Sequence, residues 1–385
     1  MQSLSDVMVW TRLFATASKS QDGRAVKHQP SKKEGPPMKE LSVISIDISK
    51  SVFQLHGEGA GREFLLKKRL QRGQMKDFFV NRKPCTIVME ACGGSHYWAR
   101  ELEGYGHKVK LLPGERVKSY VVGNKNDVID AAAISEAYHS PRVQFAGVNS
   151  IEQQDLQMKH RIRARLVRNR TSIVNECHGF LLEYGVIIPL SVKNIVRNVI
   201  SALEEAGDKV SAEGRRIFSL LCQEVQEVEG RIQGIDEELK QLAQSNDRAR
   251  RLCTIPGVGP IIATAVIAAV GDPHLFKNGR QFAAWLGLVP GQDSTGGRTR
   301  LGRITKRGDR YIRSLLVQGA QSCAMSLRRY KEEPLPARAA WIKGLISRRG
   351  WAKAVVATAN KNARIVWAIL SSEDAVYNAS FTHVA

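Results

Sequence analysis

Four acidic residues stand where a folding chain should resist them. Asp47 interrupts the apolar run VISIDIS, and Glu90 closes the apolar run CTIVME. A carboxylate is costly to bury in either place unless a partner offsets its charge. Asp127 and Asp130 lie three apart in DVIDAAAISEAYH, a spacing that projects both from one face of a helix. Four carboxylates drawn together would repel and would not all ionise. A divalent cation removes that penalty. A small set of oxygen ligands suits Mg²⁺, which completes its shell with water and phosphate. Two such ions about 3.5–4 Å apart clamp the attacking and leaving oxygens of a phosphoryl transfer.

Taken singly, each acid also has a plain reading. Asp47 can cap a turn, Glu90 can mark a strand end, Asp127 can be an N-terminal helix charge and Asp130 a solvated one. Their order carries more: an acid on the first strand, an acid on a later strand, then paired acids at a helix start. A nuclease site of the ribonuclease H-like kind requires that order.

The elements that must position them follow from the pattern. LSVISIDIS reads as a strand, and SVFQLHGE and REFLLKK read as a second and third, alternating and separated by Gly-rich turns. QMKDFFVN suits a short helix, CTIVME a buried strand, HYWARELEGYG a helix ended by glycine, and HKVKLLPG another strand. With the DVIDAAAISEAYH helix this predicts an α/β domain over residues 41–148. Residues 1–40 hold Ser, Lys, Gln and Pro around one short apolar patch and read as a disordered extension. Met38, directly before the first strand, could be an alternative start.

Residues 149–248 read as almost all helix. After Ile217 apolar residues fall at Leu221, Val225, Val228, Ile232, Ile235, Leu239 and Leu242, a heptad seam. A helical hairpin or coiled coil is expected, its seam buried either within the chain or against another copy. Residues 249–371 read as a helical domain. It opens with TIPGVGP, where Gly257 and Gly259 make a tight turn between helices. Such a turn either offers amides to a phosphate, as a helix N-terminus does, or is an ordinary connection. PGQDSTGGRTRLGRITKRGDR reads as a Gly-rich basic loop, and residues 372–385 as an uninformative tail.

Composition sets the partner. Lys plus Arg number 58 against 37 acids, for a net charge of +21. Such a charge repels itself unless something anionic neutralises it, which points to nucleic acid first and an anionic membrane surface a distant second. The basic residues cluster: Arg161, Arg163, Arg165, Arg168 and Arg170 on one predicted helix, and Arg298, Arg300, Arg303, Lys306 and Arg307 around the Gly-rich loop. No apolar run approaches the roughly 20 residues of a membrane span. Six cysteines without CxxC spacing read as reduced cytosolic thiols, neither disulfides nor a zinc site.

Three stretches, ISIDISK, VMEACGGSHYWARELEGYGHKVKLL and NKNDVIDAAAISEA, resemble the N-terminal domain of insertion-sequence-110-type transposases. These are also called DEDD transposases or bridge-RNA-guided recombinases. The stretch from TIPGVGP to LLVQGA is similar to the family's second conserved domain, so the likeness covers about residues 41–330. The resemblance implies a ribonuclease H-like first domain with Asp47, Glu90, Asp127 and Asp130 as a Mg²⁺-binding tetrad. It implies a serine nucleophile in QDSTGG, matched to Ser294, with Thr295 as the alternative register. Gly291, Gly296 and Gly297 would let the backbone approach a phosphate. It further implies donor and target DNA as partners, a noncoding guide RNA, and a homo-oligomer, dimer or tetramer, acting in the cytoplasm at the nucleoid. Two alternatives stand beside it: a junction-resolving Mg²⁺ endonuclease, in which water attacks, and a nucleic-acid-binding protein without chemistry.

Overall fold

The structure is a computed structural model. It describes residues 40–121, 127–141, 143–189, 191, 194–327 and 335–378, with only the backbone of Asp127 and Val128. The extension expected over residues 1–40 lies outside the described residues, save Glu40.

The period-2 runs form one five-stranded sheet. Strands β1 (Val43–Ile48), β2 (Val52–Glu58) and β3 (Phe64–Gln71) make an antiparallel meander. β4 (Thr86–Glu90) and β5 (Lys108–Leu112) add parallel to β1 on its other side, giving the order β3-β2-β1-β4-β5. Parallel neighbours need crossovers. Helices α1 (Gln74–Val80) and α2 (Ser95–Gly104) supply them and cover one face. Ile44, Ile46, Ile87, Met89 and Leu111 meet Phe79, Trp98 and Leu102 there. Short α3 (Gly114–Val117) follows β5, and α4 (Asp127–His139) covers the opposite face, where Val43, Val88 and Leu112 meet Ala133, Ile134 and Ala137.

One buried carboxylate fixes α4. Glu58 is 8% exposed at the end of β2, opposite Val43. It accepts hydrogen bonds from Ser135 Oγ at 2.5 Å and His139 Nε2 at 2.8 Å, both on α4, and lies 3.1 Å from His56 Nε2. Burial alone would push its carboxyl up. The Ser135 hydrogen bond and His139, aided by His56, outweigh that and hold it below its usual value.

The heptad seam is buried within the chain. α5 (Ile151–Glu183) and α7 (Ala212–Ser245) pair along their lengths, with α6 (Ile195–Ala206) between them in sequence. Val225, Val228 and Ile232 join Leu166, Ile173, Cys177 and Leu181 of α5 and Val199 of α6 in one cluster. Ser150 and Gln153 close a reciprocal capping box at the start of α5.

The remainder is mostly helical: α8 (Asp247–Leu252), α9 (Pro260–Ala269), α10 (Gly279–Trp285), α11 (Arg310–Ser326), α12 (Ala337–Arg349) and α13 (Trp351–Leu370). It departs from expectation in three places. The Gly-rich stretch is not a loop but a hairpin of β6 (Pro290–Thr295) and β7 (Arg298–Ile304). Gly296 and Gly297 both take positive φ, 57° and 76°, the turn that a two-residue hairpin demands. α6 adds a third helix to the hairpin expected over residues 149–248, and α12 lies in a stretch read only as part of a helical domain. The start of the tail is tied down, because buried Arg251 donates to the carbonyls of Ile369, Ser372 and Ala375. Among the described residues no helix is long and apolar enough to cross a membrane.

A group with a depressed carboxyl pKa stabilises the fold above the ordinary carboxylate range and ceases to do so as pH falls through its own value. Glu58→Gln should therefore lower stability by about 1–3 kcal/mol near neutrality. Urea denaturation across pH should find that deficit shrinking as the solution becomes acidic.

Candidate active site

Asp47 and Glu90 come together at the carboxyl ends of neighbouring parallel strands. The register pairs Ile46 with Met89, so the two acids occupy the next step on both strands. Period-2 alternation puts them on the face that α4 covers. Both are half-buried. Cys92, two residues beyond Glu90, reports their closeness. Burial pushes its thiol up, and the Glu90 and Asp47 carboxylates push it further. Its sulfur lies 4.0 Å from Ile48 O, at the end of β1. Glu90 also leans on the turn after β5: a Cβ at Gly114 would collide with Glu90 Oε1 and stand 3.1 Å from Cδ. A side chain at 114 would make the carboxylate turn aside from its present position.

The Glu58 clasp fixes the height of α4, the helix that carries the paired acids. Ser135 sits over Glu58, beside Val43 at the start of β1. Asp130 and Asp127 precede Ser135 by five and eight residues, about 7.5 and 12 Å of helix. Asp47 lies four residues beyond Val43, about 13 Å of strand. These lengths are comparable, yet among the described residues no three His, Cys, Asp or Glu side chains come together as metal ligands, so Asp130 is not brought to the Asp47–Glu90 pair. Asp130 is half-buried, and the Asp127 side chain lies outside the described residues.

Ser294 stands apart, exposed on β6. Gln292 Nε2 donates to its hydroxyl at 2.8 Å, and Thr299 lies opposite. Thr295, opposite Arg298, faces the other side of the ribbon. The hairpin's base is rigid where its tip is open. Buried Arg313 of α11 donates to Leu286 O at 3.0 Å and Arg307 O at 2.8 Å, one before and one after the hairpin. Gly287 and Gly308 take positive φ there, and a Cβ on either would strike the backbone of Arg307 or Trp285.

The basic residues divide. Arg298, Arg300, Arg303, Lys306 and Arg307 are all exposed along β7 and just after it. The arginines of α5 are not one surface. Arg163 pairs with Asp236, and Arg170 donates to Glu229 at 2.6 Å, so both clamp α5 to α7. Arg161, Arg165 and Arg168 remain exposed, at i, i+4 and i+7 on one outward stripe. The Gly257–Gly259 turn also has a packing reason. Gly257, at φ +85°, touches Gly319 of α11 backbone to backbone, and a Cβ on it would sit 2.6 Å from Gly319 O. Gly259 has open space on its Cβ side and caps α9.

Sequence reasoning missed Glu58, His139, Arg313 and His160. His160 is buried where α5 meets α9 and α11, 3.1 Å from both Thr264 Oγ1 and Tyr311 Oη. Burial, then Arg163, lowers its pKa to about 4, so it is neutral there. Polar residues on otherwise apolar helix faces were the one available signal.

A five-stranded sheet with two acids at one end, a clasped helix and a basic hairpin bearing a hydroxyl define a class of enzyme that acts on a nucleic-acid backbone. Comparison with known proteins identifies it further. Residues 44–186 match a family described as transposase, of the DEDD IS110 type, and residues 249–333 match the Transposase IS116/IS110/IS902 family. A probable family 20 transposase of Pseudomonas aeruginosa is 44% identical over 336 residues, 86% of this chain and 98% of its own length. The transposase for insertion sequence element IS1111A of Coxiella burnetii is 38% identical, over 89% of this chain and 93% of its own. That for IS1328 of Yersinia enterocolitica is 36% identical, over 86% and 97%. The chain belongs to the IS116/IS110/IS902 family of insertion-sequence transposases, enzymes that act on DNA.

Because both carboxylates hold the Cys92 thiol protonated, Glu90→Gln should speed its alkylation severalfold at mildly alkaline pH, with Asp47→Asn acting in the same sense. Mass spectrometry of the labelled peptide over time checks this. Unchanged rates would mean that neither acid lies near the sulfur.

Proposed function

We propose that the chain cuts and rejoins DNA strands through a phosphoserine intermediate, with Asp47, Glu90, Asp127 and Asp130 holding Mg²⁺ in a ribonuclease H-like domain. The observation that carries this reading is Asp47 beside Glu90 at one sheet end; Asp127 and Asp130, on the first turn of α4, would complete the set. The donor set fits a hard cation: half-buried carboxylates, with a glycine at 114 leaving Glu90 its space. When bound, Mg²⁺ would supply charge neutralisation for the phosphoryl oxygens. The meander with two parallel strands added beyond β1 supports the ribonuclease H-like reading.

The chain's own residues do the rest. Ser294 Oγ attacks a DNA phosphorus, its proton leaves to a base, and the bond to the deoxyribose oxygen breaks. Gln292 orients the hydroxyl. Arg298 and Arg300 share the opposite face of the ribbon, within a short reach of the same backbone. A second DNA end then displaces the serine, restoring a phosphodiester. Among the described residues the Ser294 hydroxyl is bonded by Gln292, and a carboxylate of the acid site, reached within the chain or from another copy, would take its proton. Resemblance to the family supports a guide RNA and an oligomer of two or four copies. The stripe Arg161, Arg165 and Arg168 is the surface for the RNA or DNA backbone, since its members are exposed.

Purified protein, element-end DNA, guide RNA and Mg²⁺ test the reading. Ser294→Ala should abolish both the covalent protein–DNA adduct and recombinants, a loss of at least about a thousandfold. Asp47→Asn should do the same while sparing DNA binding. Recombinants from Ser294→Ala but not from Asp47→Asn would instead mark a junction-resolving nuclease in which water attacks.

A further inference from the structure

A groove of about 1160 Å³ runs between the base of the β6–β7 hairpin and helices α12 and α13. Its walls include Leu301, Arg303, Trp341, Lys353, Lys361 and Arg364. Five cationic side chains line it, Lys306 being the fifth, and no carboxylate does. The floor is apolar, and Leu301 is 66% exposed within it, an unusual position for a leucine on a two-stranded ribbon. Lys361 sets its ammonium 4.5 Å over the Trp341 ring. Burial, then Arg338 and Arg364, lowers the Lys361 pKa. The groove is larger than the roughly 300–1,000 Å³ of a small-molecule site.

Its place on the hairpin gives it meaning. Gln292 lies opposite Leu301 and Ser294 opposite Thr299, so the four side chains share one face of the ribbon. The groove therefore continues the face that presents the Ser294 hydroxyl. We propose that this groove binds unpaired single-stranded DNA, the nucleotides flanking the phosphate presented to Ser294. The assignment rests on the reading of that hairpin as the strand-cutting element.

Charge complementarity selects an anion, and the apolar floor selects among anions. A duplex shows phosphates outward and would touch the cationic rim alone. Splayed bases offer apolar faces to the floor while their phosphates meet the rim, the combination that single-strand sites use. Deoxyribose follows from the family, whose members act on DNA.

Fluorescence anisotropy of the full chain in EDTA tests this without involving the acid site. The probes are a labelled oligothymidylate, an oligouridylate of the same length and a blunt duplex. The parent should bind oligothymidylate most tightly. Leu301→Ser and Lys353→Gln, both at exposed positions, should each weaken that binding about tenfold and leave duplex affinity within about twofold. Parental binding by both variants would overturn the proposal. So would equal loss for the duplex, tighter binding of oligouridylate, or variants that alter only self-association, which would make the groove a seat for a second copy. Strand exchange by Ser294→Ala reports separately on the serine, because oligonucleotide binding in EDTA requires no reaction.

Discussion

A single buried carboxylate at one end of the sheet holds the helix that carries two of the four acids. Glu58 is satisfied by Ser135, His139 and His56, so α4 is held at one height over β1. Helical rise then sets the height of the acids in its first turn: a clasp one turn away would shift Asp130 by about 5 Å. The clasp also explains the helix's composition. α4 is alanine-rich along the face that meets Val43 and Val88, which lets it lie close to the sheet.

The hairpin solves the opposite problem. A nucleophile for a polymer must be exposed, yet exposed ribbons of two strands are poorly stable alone. Here the stiffness comes from below. Arg313 bridges the two entry points, and glycines at 287 and 308 allow backbone contacts that no other residue would permit. The proposed carboxylate chemistry and the proposed hydroxyl chemistry would thus rest on different supports, one the strand ends at the middle of a sheet and one a helical base.

Much of the first region was legible because its signals are local. Alternating strands, glycine stops and acids in apolar runs follow from neighbours in sequence, and Asp47 beside Glu90 follows once the strands pair in parallel. The rest depends on contacts remote in sequence. Whether Arg163 or Arg165 faces outward is set by Asp236, some seventy residues away, and nothing in the run of arginines distinguishes them. The hairpin was hidden by composition: its glycines and arginines read as loop, although the Gly-Gly pair between two short runs was a turn signal. Glu58 looked like an ordinary strand-end acid, because its partners come from a helix far along the chain. The Asp127 side chain lies outside the described residues, so its meeting with the others belongs to the proposal.

The paired helices α5 and α7 have a geometric consequence. α5 is tied to the C-terminal region near its start, where Gln153 and Gln157 cap the carbonyls of Ile267 and Ala268 and His160 reaches Thr264. Its 33 residues then run on for about 50 Å in total, clamped by Arg163 and Arg170. Such a strut works as a ruler with an angular phase. Length added to both members in units of seven would move whatever its far end touches by about 10 Å while keeping its heading, whereas other increments would swing that end around the axis. Natural variation in this middle region should therefore be quantised.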